Sequence, residues 1–81
     1  MTDAVLPDDQ EAALDMLGSL ADQARRSEAR YRRDLELRDA AIEALCARED
    51  INKTRASIRM TIERQRFYQI RDKRAADRRS G

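Results

Sequence analysis

Histidine and tryptophan are absent from this chain of 81 residues, cysteine and proline occur once each, glycine twice, and the aromatic side chains are two tyrosines and one phenylalanine. Without histidine the commonest general acid and base is missing, and one cysteine cannot build a cysteine-histidine zinc site. Two glycines are too few for a phosphate-cradling loop followed by the tight turns such loops need. These absences argue against an enzyme and leave no expected cofactor or metal. No apolar run approaches the eighteen or so residues of a membrane span, and the acidic start lacks the basic-then-apolar plan of a signal peptide. Lone Cys46 cannot form an internal disulfide, which suits a reducing compartment, so the expected location is cytoplasmic.

Charge is what the chain has in quantity: 41% of its residues are Asp, Glu, Lys or Arg, yet the formal net charge is only +1. The near-neutral sum conceals a gradient. Residues 1–24 hold six acids and no base, residues 25–50 hold seven of each, and residues 51–81 hold ten bases against Glu63, Asp72 and Asp77, a net +7. Such asymmetry points to a basic end for a polyanion and an acidic end for another partner. Fifteen of the seventeen bases are Arg, whose planar fork suits phosphates and guanine edges.

The periodicity is helical throughout, and the expected fold class is all-α. Residues 1–7 read as a flexible tail ending at Pro7. Asp8 is a candidate N-cap with Glu11 at the capping-box spacing. From there to about Glu49 only Gly18 weakens the pattern, so the spacing predicts a long amphipathic, coiled-coil-like helix. A heptad frame places Leu14, Ala21, Glu28, Leu35 and Ile42 at a, and Leu17, Ala24, Tyr31, Arg38 and Leu45 at d, apolar at all but Glu28 and Arg38, a seam suited to a homodimer. In a parallel dimer Asp34 would face Asp39 and Leu20 would face Arg25, so an antiparallel pairing or a helical hairpin bent near residues 26–30 stays open. The expected organisation is a tail (1–7), a helical oligomerisation arm (8–34), a nucleic-acid-binding domain (35–75) and a basic flexible tail (76–81).

In the last third, Asn52 can cap a short helix over 53–60, Thr61-Ile62 makes a break, and a further helix fits about 63–75. Ala56, Met60, Ile62, Phe67 and Ile70 carry the spacing of a helix-turn-helix. The stretch DINKTRASIRMTIERQRFYQIR resembles the helix-turn-helix of small bacterial and phage DNA-binding regulators and of sigma-factor carboxyl-terminal domains. The resemblance runs over about 22 residues without a gap and is most specific at R-Q-R-F-Y-Q-I, residues 64–70. Three positions depart from the family pattern. Ser57 replaces Ala, Thr61 stands where Gly usually supplies a left-handed backbone, and Glu63 replaces the Ser/Thr cap of the recognition helix.

The resemblance implies a protein that reads double-stranded DNA in the major groove with the helix at 63–75. Arg64, Gln65, Tyr68 and Gln69 are then the base readers, Arg for a guanine edge and Gln for adenine. Lys53, Thr54, Arg55, Arg66, Arg71, Lys73 and Arg74 are the expected phosphate contacts. The expected function is a small, dimeric, sequence-specific transcriptional regulator associated with the nucleoid, its acidic arm (residues 8–24) contacting a protein partner or shielding the basic end when DNA is absent. The alternative is a coiled-coil adaptor or inhibitor whose basic end grips an acidic protein surface or RNA polymerase. Outward-looking Ile58 fits neither helix of the motif and would pack on the arm or on a partner.

Overall fold

The computed structural model describes residues 3–26 and 32–80, which form four helices and no strand: α1 (Gln10–Arg26), α2 (Arg32–Cys46), α3 (Lys53–Met60) and α4 (Arg64–Ser80). The protein is all-helical. A single helix from 8 to 49 would extend roughly 60 Å, whereas the longest dimension is 33 Å and the radius of gyration is 12.0 Å, close to the ~12 Å of a compact domain of this length. The apolar stripe is instead folded back on itself as a hairpin of α1 and α2, the third of the arrangements left open above.

The heptad positions therefore serve the chain's own core. Leu14, Leu17, Ala21, Ala24, Ile42 and Leu45 are all buried within one chain, and Leu35 is half-buried. An a/d stripe is the same whether its partner is a second chain or a distant part of its own, and here α3 and α4 supply the partner. Tyr31 and the expected bend at 26–30 lie at or in the 27–31 stretch outside the described residues. With the described seam residues internal, the argument for a dimer built on them no longer stands.

Packing alternates along the chain. α1 lies against α3 and α2, and α2 lies against α4. Phe67, Leu14, Leu17, Ile42, Leu45, Ile51 and Met60 are the largest fully buried side chains, and at about 1.5–3 kcal/mol for each such side chain they dominate the favourable side of folding. Gly18 is the one place where α1 must be thin. A Cβ there would lie 2.8 Å from Cγ of Arg59, so the missing side chain admits the Arg59 stem while its guanidinium pairs with Asp15.

The ends differ from expectation for local reasons. Asp9 rather than Asp8 caps α1, its carboxylate accepting from the Ala12 amide at 2.9 Å, and Glu11 reaches across to Arg55 instead of closing a capping box. Residues before α1 are held down: Leu6 is in the core, and the Arg48 guanidinium donates to the carbonyls of Leu6 (3.4 Å) and Asp8 (3.1 Å). Residues 76–80, expected as a loose tail, continue α4. Glu43 on α2 accepts from Arg74 at 3.3 Å and from both terminal nitrogens of Arg78, which extends the docking of α4 by two turns beyond its last apolar contact.

Candidate nucleic-acid interface

The connection from α3 to α4 positions the candidate residues. Asn52 caps α3 as its sequence position implies, accepting from the Arg55 amide at 3.0 Å. Its own amide donates to Gln10 Oε1 at 2.8 Å, so the start of α3 is tied to the start of α1. At the other end Thr61 takes a left-handed conformation, φ 58° and ψ 44°, the only positive φ at a non-glycine among the described residues. Its amide donates to Ile58 O at 3.3 Å and that of Ile62 to Ser57 O at 3.1 Å, the paired reverse bonds of a Schellman ending. A β-branched residue is costly there, about 1–2 kcal/mol. Ser57 answers part of that cost, since its hydroxyl donates to Ile62 O at 2.6 Å across the turn. Two departures from the family pattern thus act together.

Three residues, Thr61, Ile62 and Glu63, separate the helices. α4 then docks through Phe67, which is fully buried, and Ile70, which packs against the core. This sets the opposite stripe of α4 outward. Arg64, Gln65 and Gln69 are exposed, and Tyr68 is half-buried with its ring 5.1 Å beneath the Arg71 guanidinium. The four residues expected to read bases are therefore brought together on one face. Arg64 Nη1 donates to Thr54 Oγ1 at 3.2 Å, while Gln65 and Gln69 have no hydrogen-bond partner among the described residues. Asp72 lies on the same outward stripe, one turn beyond Gln69, and pairs with Arg71 at 3.0 Å.

The expected phosphate set divides. Arg66 and Lys73 are exposed and carry no ion pair among the described residues. Thr54 is exposed beside Arg64, and Arg71 is exposed but shared with Asp72 and Tyr68. Three others are engaged elsewhere. The Lys53 ammonium donates to the carbonyls of Arg48 and Ile51. Arg55 is paired with Glu11 of α1. Arg74, with a side chain only 12% exposed, is held by Glu43. The acidic face of α1 is thus not wholly free either, because Glu11 and Asp15 neutralise Arg55 and Arg59 of α3.

Electrostatics mark the anchors rather than the outward face. Burial raises the Glu43 carboxyl, and hydrogen bonds from Arg78 and Arg74 outweigh it, leaving Glu43 below its ordinary 4.5. The Arg48 hydrogen bond brings Asp50 down to about 2. Burial pushes the Cys46 thiol up, and its sulfur lies 3.7 Å from Phe67 O, the setting of a packing cysteine and not of a thiolate nucleophile. Among the described residues no group of three or more acidic or sulfur ligands is placed to hold a metal ion. No described helix is long and apolar enough to cross a membrane.

Two residues that sequence reasoning passed over border this region. Arg25 and Arg38 line a cleft beneath the turn together with Ala21, Thr61, Ile62, Glu63 and Arg66. In the sequence Arg38 is only a polar residue in the heptad seam and Arg25 only a flank of it, and the fold alone brings them to α4. No protein-family model, curated protein or solved structure matches this chain.

Proposed function

We propose that the chain is a small DNA-binding protein of helix-turn-helix type that presents α4 to the major groove and regulates transcription by occupying its site. The observation that carries this reading is the outward stripe of α4, where Arg64, Gln65 and Gln69 stand exposed and largely unpartnered on a helix fixed from behind by Phe67. Long polar side chains held out from a rigid helix, with cations on both flanks, are the chemistry of base-edge reading. Each good bidentate contact discriminates by about 1–3 kcal/mol. The three-residue turn with its left-handed Thr61 agrees with the family pattern over residues 50–70.

The reading is narrower than the total charge implies. Arg66, Lys73 and Arg71 are the cations on α4 best placed for phosphates, with Thr54 beside them, so each bound chain neutralises about three phosphates. The logarithm of affinity then falls with the logarithm of salt at a slope of about −3.

The test is a selection from random duplexes with the purified protein, followed by binding of the enriched sequence to wild type and to the double variant Arg64→Ala with Gln65→Ala. A single enriched motif is expected, with its preference abolished in the variant and the thermal midpoint unchanged. Absence of any enriched duplex overturns the proposal. In that case the adaptor reading, with the same face gripping an acidic protein surface, takes its place.

A further inference from the structure

The cleft of about 460 Å³ beneath the turn is lined from four directions: Ala21 and Arg25 at the end of α1, Arg38 in α2, the turn residues Thr61, Ile62 and Glu63, and Arg66 in the first turn of α4. Three of its seven lining residues are arginines and one is an acid. Two of the guanidiniums are held in place. Arg25 donates to Met60 O at 2.8 Å and to Asp22, and Arg38, 14% exposed, gives Nε and Nη2 to Asp39 at 2.9 and 2.8 Å. Asp39 occupies only one edge of the Arg38 fork, which leaves its Nη1 without a hydrogen-bond partner among the described residues. Arg66 is exposed and keeps all its donors. Preoriented guanidinium forks facing a common space, joined by a mobile third, suit a tetrahedral oxyanion with several acceptor oxygens.

We propose that this cleft binds a phosphate group. Its source is either a backbone phosphodiester of the duplex, which places a contact beside the groove-reading helix, or a free phosphate-bearing small molecule. The first source rests on the function proposed above and the second does not. Glu63 is the one carboxylate in the lining itself, with Asp22 and Asp39 behind it on Arg25 and Arg38, and it opposes the anion most directly. It gives the site a signature, since removing the Glu63 charge strengthens binding while removing the Arg66 charge weakens it. Neither side chain makes a hydrogen bond or ion pair among the described residues, so both variants keep the fold.

The experiment titrates inorganic phosphate into the isotope-labelled full chain at constant ionic strength, with chloride as the reference anion, and follows the backbone amides. Saturable shifts centred on residues 61–66 are expected. Arg66→Ala weakens the binding ~5-fold and Glu63→Gln tightens it ~2- to 3-fold, the range expected for partly screened charges. The titration is then repeated with the selected duplex bound. If the duplex abolishes the phosphate-dependent shifts at residues 61–66, the phosphate comes from the DNA backbone. If the shifts persist in the complex, the ligand is a free phosphate compound. Phosphate shifts that match chloride, or that are indifferent to both variants, overturn the proposal whatever the duplex does. If no duplex binds, the function proposed above falls while the phosphate titration still decides the cleft.

Discussion

α3 and α4 are both cationic helices that meet at one turn, and they dispose of their charge in opposite ways. α3 carries Lys53, Arg55 and Arg59 and no acid, and each of the three is already engaged, by two carbonyls, by Glu11 and by Asp15. On α4, Glu43 holds Arg74 and Arg78 on the side that faces α2, and Arg71 pairs with its neighbour Asp72. The first turn and outer face of this helix keep Arg64, Arg66 and Lys73 without an acidic partner among the described residues. Net charge along a sequence is therefore a poor map of a binding surface. The +7 of residues 51–81 includes cations that act as struts within the domain and cations that face outward, and only the second kind is available to a polyanion.

The comparison fails most completely if α4 loses its seat. Phe67→Ala removes the largest fully buried side chain and is expected to cost about 3–5 kcal/mol, a large part of the stability of a small domain. Thermal unfolding would show a markedly lower midpoint, and the duplex affinity would fall with it. A midpoint near wild type would mean that α4 is held mainly by its ion pairs.

Relief of the strained turn acts in the opposite direction. Thr61→Gly removes the left-handed cost of 1–2 kcal/mol at the price of a more flexible unfolded chain, for a net gain of about 0.5–1 kcal/mol. Denaturant melts would show a higher midpoint with an unchanged slope. No gain would show that the Ser57 hydroxyl bond already compensates the turn.

Glu43 provides a similar but pH-dependent effect. Glu43→Ala is expected to cost about 1 kcal/mol, since its bonds to Arg74 and Arg78 are partly open to solvent. Because the carboxyl titrates below 4.5 in the folded chain, its stabilisation is present above that value and is lost as pH falls through the lower folded one. Hydrogen exchange in residues 74–80 would accelerate in acid for wild type and show no such dependence in Glu43→Ala.

The smallest effects separate the two helices most sharply. Arg55→Ala and Arg59→Ala should each lower stability by about 0.2–1 kcal/mol and leave the salt slope of DNA binding alone. Lys73→Ala should leave stability alone and reduce the slope by about one. Calorimetry paired with salt-dependent anisotropy measures both quantities, and a slope change in Arg55→Ala would erase the distinction.

What could be read from the sequence was what local chemistry decides. Asn52 as a cap and α3 ending at Met60 follow from residues within one turn of each other, and the structure has them; the left-handed backbone at Thr61 is implied by the resemblance alone, since a β-branched residue disfavours it. The apolar spacing also identified Phe67 as the inward residue of α4 and left Arg64, Gln65 and Gln69 outside. The hairpin was only one of several possibilities, because no proline or glycine falls between Gly18 and the end of α2 to mark a bend. The pairs Glu11 with Arg55 and Glu43 with Arg74 join residues 44 and 31 positions apart. Their loss to the phosphate set has no local signal, since a charged side chain looks the same in sequence whether it meets water or a distant carboxylate. Ile58 is the residue that neither level explains: it is 75% exposed on α3.

The alternating order of packing, α1 on α3 and α2 on α4, bears on how the chain can be made and cut. During synthesis α1 and α2 emerge first and can pair with each other, but Leu14 and Leu17 keep an open side until Met60 has left the ribosome. A break between α2 and α3 keeps the contact of α1 with α2 and severs those of α1 with α3 and of α2 with α4. The first piece is then half-packed and the second, in which α3 and α4 barely touch, has no core, so a reporter inserted between α2 and α3 should unfold the domain.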